Sequence, residues 1–264
     1  MSKKIFLSFF ILLALVSSCY NNDDTDTAVV DREKQLKDSV ALYPDSLLFR
    51  ENLIQYYRDN NNYTQALAAT QDYLKKDSLS ARLWDIEATL YFEEKDTPHS
   101  IQAFETAVAI HPDPPYLMSL GSLYAETKDQ RALVVADALI KNSNGDELKN
   151  ALFIKGLYHS TAGDCSNAIP YYDSCLKIDY TFTLAYREKA ICFYNMGRYN
   201  DALNVLSKAI EIVNTYEEAY YWMGRCHEKL NDKADAIKDY QTALQIDKDY
   251  IEAKDALTRL TNGS

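Results

Sequence analysis

The sequence predicts an all-α protein assembled from stacked helical hairpins, and three observations carry that expectation. Small and aromatic residues recur at a spacing of 34. Gly224-Arg225-Cys226-His227 aligns with Ala190-Ile191-Cys192-Phe193, and that in turn with Gly156-Leu157-Tyr158-His159. Gly121 and Ala88 continue the series upstream, with Ile54 as its weakest member. Asn61, Gly163, Gly197 and Asn231 fall at one shared position within the period. Gly and Asn readily take the left-handed conformation that ends a helix, so each marks a break between two helices. The 264 residues are 47% hydrophobic and 25% charged, enough to bury a sizeable core. In a self-similar chain, length counts stacked units rather than independent domains.

Taken in order, the N-terminus comes first. Lys3 and Lys4 precede Ile5 to Val16, an apolar run broken only by Ser8. A comfortable membrane span needs roughly 20 residues, so this run suits the core of a secretory signal instead. Leu15-Val16-Ser17-Ser18-Cys19 resembles the lipobox of bacterial lipoproteins. The resemblance implies a signal peptide over residues 1–18, with Cys19 the first mature residue and the one that carries lipid. Residues 19–28, rich in Asn and Asp, bury too little apolar surface to offset their ordering entropy and are expected to form a flexible tether. A leading helix is expected over 29–44, ending at Tyr43-Pro44.

The periodic part follows. Residues 47–80 keep Tyr57 and Ala66. Residues 81–113 carry Trp84, Ala88, Tyr91, Phe104, Ala107 and Pro112. Residues 114–148 diverge, with Gly121, Tyr124, Ala132 and Leu139. Residues 149–182 show Leu152, Gly156, Ala168, Tyr172 and Cys175, with Pro170 expected near the first turn of a second helix. Residues 183–216 show Tyr186, Ala190, Ala202, Leu206 and Ala209, and 217–250 show Tyr220, Gly224, Ala236, Tyr240 and Ala243. Residues 251–262 read as a closing helix, the cap a stack needs to stay soluble. This pattern resembles the tetratricopeptide repeat. The resemblance implies a right-handed superhelix of about six helix-turn-helix repeats over residues 45–262.

Chemistry is hard to find. There is no Gly-rich phosphate loop, nucleophile elbow or Cys-x-x-Cys pair. His227-Glu228 begins like a zinc-protease motif, but Asn231 stands where a second ligand would be. His159 and His227 occupy aromatic packing positions, while His99 and His111 fall at turns. No enzyme activity, metal or cofactor is therefore expected. The net charge is −11, and removal of residues 1–18 takes away two lysines to leave −13. That sign repels phosphate backbones, so nucleic acid is not an expected partner. Cys165, Cys175, Cys192 and Cys226 remain after Cys19, and either disulfides or buried small residues suit an exported chain.

In the family that this chain resembles, the second, fifth, ninth, twelfth and thirteenth positions of each repeat face the inner groove. Carried onto this sequence, they give Glu51, Asp59, Asp85 and Glu93 at one end. Met118, Phe153, Leu157, Arg187, Ile191 and Tyr194 follow, and Tyr221, Arg225 and Lys229 close the other end. The expected groove is acidic, then apolar, then basic. It suits a helix or an extended peptide of a protein partner, because an apolar centre supplies affinity and charged ends set direction. The expected role is a lipid-anchored scaffold that assembles a cell-envelope complex, probed through these partner-binding residues. The lipid places it at the membrane, and Tyr20, where an inner-membrane retention Asp would stand, favours the outer one. The alternative is a surface lipoprotein that binds glycan or nutrient, suggested by 21 tyrosines.

Overall fold

The computed structural model describes residues 24–141 and 146–262, with side chains over 32–141 and 147–262. The expected signal peptide, Cys19 and residues 19–23 of the expected tether lie outside the described residues. Among those described, the chain is helical throughout and has no strand. The helices are α1 (Asp24–Leu42), α2 (Leu47–Asp59), α3 (Tyr63–Lys76), α4 (Ala81–Glu93) and α5 (Thr97–Ile110). Then come α6 (Pro114–Glu126), α7 (Arg131–Lys141), α8 (Asp146–Thr161), α9 (Cys165–Ile178) and α10 (Thr183–Asn195). The series ends with α11 (Tyr199–Ile212), α12 (Glu217–Lys229), α13 (Lys233–Ile246) and α14 (Ile251–Asn262). The leading helix already includes residues 24–28, which are helical rather than tether.

The hairpin turn repeats in detail. Asn61, Lys95, Lys128, Gly163, Gly197 and Asn231 all have positive φ, between 55° and 86°. In each case the next residue's N–H reaches the carbonyl five back. Examples are Asp96 to Tyr91 at 2.8 Å, Asp164 to His159 at 2.8 Å and Asp232 to His227 at 2.9 Å. Those aspartates then cap the following helix, accepting from the backbone N–H of His99, Asn167 and Asp235. One position therefore closes the first helix and the next opens the second. Lys95 and Lys128 do the same work as Gly and Asn at the cost of a strained backbone.

The chain divides inside α3 into two units, residues 1–69 and 70–264. In the first, α1 packs on α2 through Leu36, Leu53, Ile54 and Tyr57, all buried. The Tyr57 hydroxyl donates to Glu33 at 3.0 Å, and Glu33 also pairs with Lys37 at 2.7 Å.

In the second unit each helix packs on its neighbour in the chain, from α4 through to α14. Helices α6, α8, α10 and α12 also touch one another in succession, so the first helices of these hairpins form one face. The contact points explain the period. An added Cβ at Gly224 would stand 2.7 Å from the Tyr240 ring, and one at Gly156 would stand 2.7 Å from Tyr172. Only glycine lets α12 meet α13, and α8 meet α9, that closely. The two rings are fully buried. Burial of a large side chain in this way stabilises by about 1.5–3 kcal/mol.

A second recurrent contact joins hairpin to hairpin. Phe153 on α8 lies against Tyr172 and Phe182, with ring centroids 5.9 and 5.2 Å apart. Tyr221 on α12 makes the same pair of contacts with Tyr240 and Tyr250, at 5.8 and 5.2 Å. Cys165, Cys175, Cys192 and Cys226 are free thiols, all buried. Pro170 sits inside α9, at its sixth residue, beyond the first turn where it was expected. The ladder there lacks one hydrogen bond. No described helix is long and apolar enough to cross a membrane.

Candidate partner-binding face

Two recesses open among the first helices of the second unit. One, of about 460 Å³, is lined by Thr89 and Phe92 of α4, Phe104 of α5, and Pro115, Met118, Ser119, Ser122, Leu123 and Glu126 of α6. Its lining is dominated by apolar side chains. Phe92 is 49% exposed although it is a phenyl ring on a surface helix. Thr89 and Phe92 are the ninth and twelfth residues of their repeat, and Pro115, Met118, Ser122 and Glu126 are inner-groove positions of the next.

The other recess lies where α10, α12 and α14 converge. Tyr194, Arg225, Glu228, Lys229 and Arg259 line about 310 Å³ of it. A contiguous space of about 400 Å³, sharing Arg225 and Arg259, is bounded by Tyr221, Tyr240, Glu252 and Asp255. Arg225 is held by aromatic rings. Its guanidinium carbon stands 4.9 Å from the Tyr194 centroid and 4.7 Å from that of Trp222, and Nη2 donates to Tyr194 Oη at 3.2 Å. Among the described residues neither Arg225 nor Lys229 has an ion-pair partner. Arg259 is spoken for, since it grips Glu228 with two bonds of 2.7 and 2.8 Å. Burial raises the Glu228 carboxyl, but the Arg259 and Tyr240 hydrogen bonds outweigh it, so it titrates below the ordinary range. The rings fix Arg225 in place without neutralising it, so an incoming anion meets a positioned cation.

The eight expected contact residues divide in two. Met118 lines the apolar recess, and Tyr194, Tyr221 and Arg225 line the cationic one. Ile191 is half-buried on α10. Phe153 and Leu157 are core residues rather than groove surface, 4% and 6% exposed. Phe153 is enclosed by Tyr172 and Phe182, and Leu157 belongs to the same buried cluster. Helix α8 lies tightly on α6 beside it, with the Thr161 hydroxyl donating to the Ala125 carbonyl at 2.6 Å. The continuous apolar strip expected at mid-groove is therefore absent. Arg187 is not available either, because it pairs with Glu188 at 2.9 Å and Glu218 at 2.5 Å. Phe92 is legible from the repeat register as the twelfth residue of its repeat. Arg259 is not legible, since the cap has no place in that register.

Two family models of the tetratricopeptide repeat match the chain, over residues 51–115 and 193–260, together half its length. The chain is a tetratricopeptide-repeat protein. Heat shock protein STI1 of Saccharomyces cerevisiae is 26% identical over 38% of this tetratricopeptide chain, which spans only 17% of that relative. Stress-induced-phosphoprotein 1 of Caenorhabditis elegans is 20% identical over 92% of the chain and 74% of its own length. A solved tetratricopeptide repeat protein from Parabacteroides merdae shares the fold. Its TM-score is 0.75 at 18% identity, covering 91% of this chain and 95% of that one. Tetratricopeptide repeats build extended concave surfaces on which other proteins dock.

Proposed function

We propose that this tetratricopeptide protein is a lipid-anchored scaffold of the bacterial cell envelope, which holds a segment of a protein partner on the face formed by its first helices. It binds and positions, and it does not catalyse. The observation that carries the binding role is Arg225, a cation clamped between Tyr194 and Trp222 that forms no ion pair among the described residues, although Glu228 shares its recess. The apolar recess at Phe92 and Met118 supplies a second anchor. Packed helices lie about 8–10 Å apart, so the three steps from α6 to α12 cover about 25–30 Å. An extended segment of about eight or nine residues spans that distance. The partner segment is thus apolar at one end and acidic at the other.

The anchor rests on the resemblance of Leu15 to Cys19 to a lipobox, and Tyr20 favours the outer membrane over the inner. The glycan reading is weaker, because Tyr57, Tyr124, Tyr172, Tyr186 and Tyr240 are buried and engaged in packing. Two measurements test the proposal. Cys19→Ser moves the protein from the membrane to the soluble fraction; full membrane retention removes the anchor. A photo-crosslinking residue placed at Met118 and, separately, at Lys229 captures the same partner, whereas one at exposed Val134 on α7 does not. Capture only from Val134 removes the inner face as the docking surface.

A further inference from the structure

In the repeats that begin at residues 81, 149 and 183, the seventh residue lies beside the second helix of the repeat before it. In two repeats that residue is a lysine that meets an aspartate there. Lys155 of α8 pairs with Asp137 of α7 at 2.8 Å, and Lys189 of α10 with Asp173 of α9 at 2.5 Å. The corresponding residue of α4 is Glu87, and the residue opposite, on α3, is Gln71. Glu87 is only 5% exposed. Burial holds its carboxyl above the ordinary range, and the neighbouring Gln71 side chain only partly offsets this. Gln71 donates to Tyr91 Oη at 3.1 Å. Where two other repeats bridge the helices with a cation, this one has a buried acid facing a neutral amide across the helices, with the His99 ring near it.

A cavity of about 190 Å³ opens beside it, lined by Trp84, Glu87, Tyr91, His99, Gln102 and Ala103. The walls are held in place. The Trp84 indole N–H donates to the Ser78 carbonyl at 2.9 Å. Tyr91 and His99 stack with centroids 5.1 Å apart, and His99 Nδ1 meets the Asp96 carboxylate at 2.7 Å. We propose that this cavity binds a small organic ammonium ion, with Glu87 as its counter-ion and the Trp84 and Tyr91 rings as its walls. Aromatic faces attract such cations, most strongly where water is excluded. A divalent metal asks for several oxygen ligands, and among the described residues no three His, Cys, Asp or Glu side chains gather to supply them. The volume takes a cation of roughly six to eight heavy atoms. This site is separate from the partner-binding face.

Calorimetric titration of the mature protein with choline, n-butylammonium and 3,3-dimethylbutan-1-ol, the neutral isostere of choline, tests the assignment. A cation binds at least about tenfold tighter than the alcohol. Glu87→Gln keeps the helicity, loses that advantage and leaves the alcohol unchanged. Gln71→Lys supplies the missing cation from within the chain, so it abolishes choline binding and raises the unfolding midpoint. The proposal is overturned if neither cation saturates below about 10 mM, if choline and its isostere bind equally, or if Gln71→Lys binds choline as the wild type does. Glucose binding that depends on Glu87, without choline binding, also overturns it and makes the cavity a sugar site.

Discussion

Gly224→Ala tests whether close approach of the two helices in each hairpin is what imposes the repeat. A Cβ at residue 224 would lie 2.7, 2.9 and 3.0 Å from Cε1, Cδ1 and Cζ of Tyr240. Ordinary contact begins near 3.4 Å, so the ring must retreat by about 0.7 Å. The ring is fully buried and its hydroxyl is tied to Glu228, so that movement strains its packing. Overpacking of this kind costs about 1–3 kcal/mol, while exchanging Gly for Ala inside a helix returns about 1 kcal/mol. The net expectation is a loss of up to about 2 kcal/mol. Gly156→Ala meets Tyr172 at 2.7, 3.0 and 3.1 Å and loses a similar amount. Gly121→Ala is the internal control. Its nearest neighbours are side-chain methyls, Ile154 Cδ1 at 2.7 Å and Val135 Cγ1 at 3.0 Å, and a methyl end yields at less cost than a ring tied by its hydroxyl. Urea unfolding followed by circular dichroism should place Gly121→Ala near the wild type and the other two clearly below it. If all three gain the roughly 1 kcal/mol of helix propensity alone, the close-contact explanation of the period is wrong.

Three further outcomes follow from the charges and thiols. Asp179 accepts from Lys149 at 2.8 Å and from Thr181, which lowers its carboxyl to about 2. A depressed carboxyl contributes stability above its unfolded value near 4 and loses it as pH falls towards 2. Asp179→Asn should therefore cost about 1–2 kcal/mol at pH 7 and little at pH 2, read from melting curves at both. Arg187→Met strands the Glu188 carboxylate, which burial already raises and Arg187 partly lowers. A raised carboxyl penalises the charged form, so this variant should lose about 3–5 kcal/mol at pH 7 and recover part of it on acidification towards pH 5, which parallel urea titrations would show. Burial pushes the Cys175 and Cys226 thiols up to about 12, so a thiol reagent should label the native mature domain far more slowly than the urea-unfolded one. Comparable labelling rates would contradict their burial.

The hairpins were legible because their contact points admit few residue types. Gly156 and Gly224 against tyrosine rings, and Asn61 or Gly163 at positive φ, leave marks that a period of 34 exposes. Lys95 and Lys128 left none, since lysine at a left-handed position looks like any surface lysine. On the candidate face the register placed Met118, Tyr194, Tyr221 and Arg225 at the recesses. It misplaced Phe153 because burial at the fifth position depends on what the following repeat brings. There Phe182 and Tyr172 close over the ring. At the same position Arg187 meets Glu218 of the next repeat, an ion pair made 31 residues away that no local pattern announces. Arg259 enters from the cap, outside the register altogether. The Glu87 cavity was hidden for a similar reason: its meaning lies in Gln71 standing where later repeats place an aspartate.

The scaffold role is tested most directly by in-cell crosslinking read by mass spectrometry. The comparison is the wild type against an Arg225→Gln, Lys229→Gln variant matched for expression and helicity, with Val134→Gln as the control. A docking role for the cationic recess requires a partner captured by the wild type and by Val134→Gln and lost from the double variant. The same partners captured in equal amount by all three would show that the protein docks elsewhere and that Arg225 is not its anchor.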